Sequence, residues 1–243
     1  MAGHSKWANI KHRKEKADVA KGKVFSRIVK EIISAVKQGG PDPKSNAKLR
    51  LVIQKAKEAN LPSDNIERNI KKASSSDQAD YFEMTYELYG YGGVGIIVDI
   101  MTDNKNRISS DIRIATNKRG GTVANPGAVA FNYDRKGIIQ VLKKNIPEEE
   151  LFLKASEAGA EDFDTNEDLY YITTSPDMLY QVKEKLDSQG VKCEEASIQW
   201  IPKVYMECSE EDKAANFALI EWLEGIDDVD SVYQNIKIEE GSG

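Results

Sequence analysis

Lys6, Lys11, Arg13, Lys14 and Lys16 crowd the opening of the chain, with Trp7 and His12 among them and Lys21 and Lys23 close behind. Cations at this density offer charge to phosphate oxygens, and an indole ring can stack on a base. The chemistry they suit is the holding of a polyanion. Contacts of this kind give affinity and position, whereas base reading needs side chains fixed in a groove, so modest sequence specificity is expected. A solvated terminus without a partner is the bland alternative.

The rest of the chain sets this head apart. Residues 1–73 hold eighteen Lys and Arg against seven Asp and Glu, whereas the whole chain of 243 residues has a net charge of −6. Charge sorted this unevenly costs self-repulsion at both ends, so it reports a partner rather than a folding need.

Helices must position the basic third. Phe25, Ile28, Val29, Ile32, Ile33 and Val36 recur at helical spacing, and Lys23, Arg27, Lys30 and Lys37 are predicted to line the exposed face opposite. Gly39-Gly40-Pro41 ends this helix. A second helix from Ser45–Asn46 buries Leu49, Val52, Ile53 and Ala56 and exposes Lys48, Arg50, Lys55 and Lys57. A third opens at Leu61-Pro62-Ser63-Asp64, with Asp64 and Glu67 placed as a capping box. Residues 1–22 lack such a stripe and extend from these helices as an arm.

Ser74-Ser75-Ser76-Asp77 is a hydrophilic break, after which strands alternate with helices. Met84–Tyr89 and Gly95–Met101 read as strands, followed by a helix over Asn104–Asn117 and strands at Thr122–Ala124 and Ala128–Tyr133. That helix and the loop after it carry a second basic group, Lys105, Arg107, Arg113, Lys118 and Arg119, which either extends the contact or balances Asp103 and Asp111. Gly137 to Trp200 repeats a βαββαβ rhythm. A strand at Val204–Glu207, a helix over Glu211–Glu224 and a strand over Val229–Ile236 supply the missing half of the domain begun at Tyr81. The expected fold is therefore α+β: an all-helical N-terminal domain (1–76), then two ferredoxin-like domains, one discontinuous (77–134 with 203–243) and the other (135–202) inserted into it. Two complete small domains in series are the alternative, to be decided by pairing of Gly95–Met101 with the C-terminal strand.

Other chemistries find little support. Gly90-Tyr91-Gly92-Gly93-Val94-Gly95 matches G-x-G-x-x-G, but a strand follows it where a dinucleotide site needs a helix, so a hairpin turn explains the glycines. No G-x-S-x-G elbow exists, and His4 and His12, the only histidines, lie in the polar arm without a scaffold for a general base. Glu148-Glu149-Glu150, Glu194-Glu195 and Asp227-Asp228 read as surface runs. Cys193 and Cys208 are the only cysteines, too few for a disulfide framework and without metal-ligand spacing. No enzyme, cofactor or metal site is expected. No apolar run reaches the roughly 18 residues of a membrane span, and the head has no secretory core, so a cytoplasmic protein without membrane contact is expected.

The opening MAGHSKWANIKHRK resembles the hallmark of the YebC/PmpR family, whose eukaryotic relatives include a mitochondrial translational activator of cytochrome c oxidase subunit I. Further matches are KGKVFSRIVKEI at Lys21–Ile32, AKEANLPSDNIERNIKKA at Ala56–Ala73, YGYGGVGIIVDIMTDNKNR at Tyr89–Arg107, GAEDF at Gly159–Phe163 and IDDVDSVYQNI near the end. The resemblance implies the same three-domain order. Tyr91, where the family usually has Pro, and Asn125-Pro126 depart from its pattern in loops. It also implies a transcriptional regulator bound to promoter DNA, or a translation factor that acts on the ribosome through rRNA or tRNA and eases stalled synthesis. The acidic domains are left to contact basic proteins, and would carry the function alone if the arm were incidental. The reading is a non-enzymatic nucleic-acid-binding regulator, with oligomeric state open.

Overall fold

The computed structural model describes residues 21–75 and 80–238, the side chains of residues 21–23 and 47 excepted. The described residues form two compact units, one of them continuous over Ala130–Tyr205 and the other built from residues on both sides of it.

The second unit begins with α1 (Lys21–Gly39), α2 (Ala47–Glu58) and α3 (Ser63–Ala73). Ile28, Ile32 and Val36 from α1 close over Leu49, Val52 and Ala56 from α2 and Ile66 from α3, the apolar stripe that helical spacing predicts. Asn46 joins the first two helices. Its side chain caps α2 by accepting from Leu49 N at 3.0 Å and donates to the carbonyls of Ala35 and Gly40, both at 2.8 Å. The capping box expected at Asp64 and Glu67 does not form. The cap position is Pro62, with no side-chain hydrogen bond, and Asp64 sits inside the first turn, where its charge favours the helix dipole.

The same unit continues through β1 (Phe82–Tyr89), β2 (Gly95–Thr102), α4 (Lys105–Arg119) and β3 (Thr122–Val123). The Ala130–Tyr205 unit follows, with β4 (Tyr133–Leu142), α5 (Glu148–Ala158), β5 (Asp162–Thr165), β6 (Leu169–Thr174), α6 (Leu179–Ser188) and β7 (Cys193–Pro202). Its antiparallel sheet has the order β5-β6-β4-β7. Helices α5 and α6 bury Leu151, Ala155, Leu179, Val182 and Leu186 against Ile139, Val141 and Ile172. The chain then returns to the earlier unit with α7 (Glu210–Gly225) and β8 (Val229–Gln234).

Strand β8 pairs with β2 over Ile96–Ile100, which completes a second antiparallel sheet of order β3-β1-β2-β8. Its two central strands are joined directly by the Gly90–Val94 turn, as expected, so its chain path departs from the βαββαβ of a ferredoxin-like domain. Two further expectations fail locally. Strand β4 starts at Tyr133, ahead of the expected boundary at 135, and runs unbroken through Gly137, where the βαββαβ stretch was expected to begin. A Cβ there would stand 2.3 Å from Thr174 Oγ1, so this glycine serves a close approach. Val204–Glu207 forms no strand, only a single parallel bridge from Met206 to Ile236.

The glycine-rich turn is held from outside itself. Buried Asn216 of α7 accepts from Tyr91 N at 2.8 Å and donates to Tyr91 O at 3.0 Å, while Asn235 accepts from Gly95 N at 2.8 Å. Tyr91 in turn lies over Gly120, whose φ of +79° and ψ of −177° suit glycine, and a Cβ there would fall 2.0 Å from the Tyr91 hydroxyl. Gly120→Ala is therefore expected to cost about 2 kcal/mol, from backbone strain and overpacking together. Urea unfolding checks this, and an unchanged midpoint would refute the packing described. Among the described residues no helix is long and apolar enough to cross a membrane.

Candidate nucleic-acid interface

Of the cations expected to meet a polyanion, Lys6, Lys11, Arg13, Lys14 and Lys16, together with Trp7 and His12, lie outside the described residues. Lys21 and Lys23 begin α1, where only the backbone is described. The structure therefore speaks to Arg27, Lys30 and Lys37.

Arg27 and Lys30 are not a free basic face. The Lys30 ammonium meets Asp228 Oδ1 at 3.1 Å and donates to the carbonyls of Met101 at 3.2 Å and Asp227 at 3.0 Å. Its side chain keeps 12% of its exposure and that of Asp228 keeps 6%. Arg27 pairs with Glu31 at 3.1 Å, reaches Ser231 Oγ at 3.2 Å and stands 3.7 Å from Asp230. Lys37 pairs with Asp80 at 3.3 Å, and Lys55, expected to be exposed, pairs with Glu31 at 2.7 Å. The face of α1 opposite its core stripe thus docks on the sheet β3-β1-β2-β8. The reason is chemical: a cationic helix face is as good a match for an acidic strand end as for phosphate, and spacing along α1 does not say which it meets.

Asp228 is the hub of this joint and corrects the reading of Asp227-Asp228 as a surface run. Besides Lys30 it accepts from Arg107 Nε at 3.0 Å and from Thr102 Oγ1 at 2.9 Å. Burial pushes its carboxyl up, but the hydrogen bonds from Arg107, Lys30 and Thr102 outweigh that and hold it below the ordinary carboxylate range. Burial likewise pushes Glu31 up, and Lys55 and Arg27 bring it below its ordinary value. Asp230 goes the other way: burial raises it, and the nearby Arg27 does not compensate. The signal available in the sequence was Asp227-Asp228-Val229-Asp230 itself, which inserts carboxylates at the start of an apolar strand.

The second basic group is divided in the same manner. Arg107 also pairs with Asp103 at 2.6 Å, Lys105 lies over the Phe82 ring at 4.3 Å and Arg119 over the Trp222 ring at 5.3 Å. Arg113 and Lys118 on α4 remain exposed without an ion pair among the described residues, as do Lys57 on α2 and Lys71 and Lys72 on α3. These last three were not among the site residues expected, although Lys57 was read as exposed. Among the described residues no group of three or more His, Cys, Asp or Glu is arranged to hold a metal ion.

The chain is similar to known proteins over nearly its whole length. Residues 5–76 match the family model described as the TACO1/YebC protein N-terminal domain, and residues 81–236 the one described as the TACO1/YebC second and third domain. A protein of Protochlamydia amoebophila named "Probable transcriptional regulatory protein pc1328" is 69% identical over 99% of this chain and 98% of its own. A Chlamydia pneumoniae protein, also named a probable transcriptional regulatory protein, is 61% identical over 97% of this chain and all of its own. The crystal structure of a conserved hypothetical protein, Aq1575 from Aquifex aeolicus, superposes with a TM-score of 0.85 at 43% identity, covering 97% of this chain and 98% of that one. The same order of a helical N-terminal region and two further domains, matched end to end, makes this chain a member of the TACO1/YebC family.

Proposed function

We propose that the chain is a non-enzymatic regulator of gene expression that binds nucleic acid in the cytoplasm, with promoter DNA as its target. The observation that carries this is the charge separation: eighteen Lys and Arg against seven Asp and Glu in residues 1–73 of a chain that is acidic overall. The names of its relatives agree with it. Because Arg27 and Lys30 are engaged inside the protein, the contact falls to residues 1–23, with Lys57, Lys71 and Lys72 as outlying charges and Arg113 and Lys118 as a second group. We also take the architecture as three domains: a helical one (1–76), a discontinuous one and a ferredoxin-like one inserted into it. The inserted domain's edges are taken at 130 and 205, where the compact unit begins and ends, rather than at 135 and 202.

Binding to DNA is expected to weaken steeply with salt, with a log–log slope of about −4 or steeper if five or more phosphates are neutralised. Fluorescence anisotropy across a salt series measures it, and a flat response would reject polyanion binding. One observation favours a second reading, a ribosome-associated factor on rRNA or tRNA. The described part offers outlying lysines but no free helix face with which to read a groove, and that suits shape-directed RNA contact. Sedimentation of the native protein with and without ribonuclease separates the two. Ribonuclease-sensitive co-migration with ribosomes supports the second, and its absence together with a promoter footprint supports the first.

A further inference from the structure

Helix α5 turns Leu151, Ala155 and Ala158 into the core of the Ala130–Tyr205 unit, yet leaves Phe152 52% and Leu153 61% exposed on its outer face. Neither is needed to close that core. The Phe152 ring is nonetheless held in place, edge-on to Phe163 at 5.6 Å, with Phe163 tilted against Tyr170 at 5.5 Å. Glu148, Glu149 and Glu157 stand four residues from Phe152 or Leu153 along the helix and so flank them on the same face. Glu150 pairs with Lys154 at 2.8 Å, whereas these three have no ion pair among the described residues. Glu157 lies near the C-terminal end of a helix with no basic residue in its last turn, where the dipole disfavours a carboxylate. Helix stability therefore accounts for neither the exposed apolar side chains nor that charge.

We propose that this face of α5 is a docking surface for a basic protein segment: Phe152 and Leu153 take an aliphatic side chain, and Glu148, Glu149 and Glu157 take the Lys or Arg around it. The occupant follows from charge. Residues 130–205 hold fifteen Asp and Glu against nine Lys and Arg, which repels nucleic acid. Self-pairing of α5 in a second copy would bring two sets of unpaired carboxylates together. An anchored aromatic beside an aliphatic residue, rimmed by charge, has the anatomy of a binding hot spot. The surface owes nothing to the nucleic-acid reading, and either can fail without the other.

The test titrates the isotope-labelled full chain with a short amphipathic Lys/Leu peptide and, separately, with an oligolysine of equal charge, followed by amide chemical shifts. Expected are shifts centred on Phe152, Leu153, Ser156 and Phe163, with the oligolysine weaker by about tenfold or more. F152S/L153S is expected to weaken the Lys/Leu peptide about as much, and E149K/E157K, which leaves Phe152 and Leu153 in place, to weaken both probes. Shifts centred on Glu194-Glu195 or on the start of α7, equal binding of both probes, or affinity kept within about twofold in F152S/L153S would each overturn the proposal. So would concentration-dependent dimerisation lost in F152S/L153S, because a second copy would then be the occupant.

Discussion

Deleting residues 1–20 is expected to lower affinity for duplex DNA or RNA at least about a hundredfold near 0.1 M salt, and to reduce the salt slope by about 4. The deletion removes Lys6, Lys11, Arg13, Lys14 and Lys16. Each phosphate neutralised releases close to one counterion, so five lost contacts set the size of both effects. The thermal midpoint of the remainder should not move if the core of α1–α3 is closed by the residues from Phe25 onward that make it among the described residues. An affinity within about threefold of the full chain would sink the arm as the main contact. Arg27→Ala supplies the contrast. If α1 offered a free basic face, this change would weaken binding as much as the loss of any arm lysine. With Arg27 tied to Glu31 and Ser231, it should instead lower stability and leave the salt slope unchanged.

Asp228→Asn is expected to destabilise the protein by about 3 kcal/mol at pH 7, since breaking a buried pair from one side leaves the partner cation uncompensated. The lower end of the usual range applies because Arg107, unlike Lys30, keeps 48% of its side-chain exposure and is screened by water. The pH dependence has a definite sign. Asp228 is held below its ordinary value in the folded protein, so its contribution is fully present above the unfolded carboxylate pKa of about 3.9 and is lost as pH falls through the lower folded value. Glu31 acts in the same direction. Asp230 opposes them: its raised value favours the folded state while it is protonated, and that advantage disappears as pH climbs from the unfolded to the folded pKa. Urea unfolding at pH 7 and in the acid range below pH 4 should thus show a steeper acid loss in the parent than in Asp228→Asn. A cost below about 1 kcal/mol at pH 7 would mean that the joint adds nothing to stability.

Elements with a strong period were legible in the sequence. The stripe of α1, the Asn46 start of α2 and the glycine turn between β1 and β2 all follow from local rules, because one face of each repeats and the turn has few alternatives. So did the return of the C-terminal strand to β2, since a sheet begun at Tyr81 lacked its last members. The misreadings share a cause. The first strand of the βαββαβ stretch was placed from Gly137 rather than Tyr133, because only the proximity of Thr174 and Leu179 reveals why a side chain is missing at Gly137. The capping box at Asp64 had the right residues in the wrong register.

The candidate site divides along the same line. Composition and order alone determined that a dense cationic head precedes an acidic body, and this charge separation survives any arrangement of the chain. Which cations stay available was a tertiary matter. Arg27 and Lys30 differ from Lys57 in having the carboxylates of Asp230 and Asp228 brought to them from some two hundred residues later in the chain. An ion pair depends on distance in space and on the water removed around it, and neither is written in the spacing of lysines along a helix.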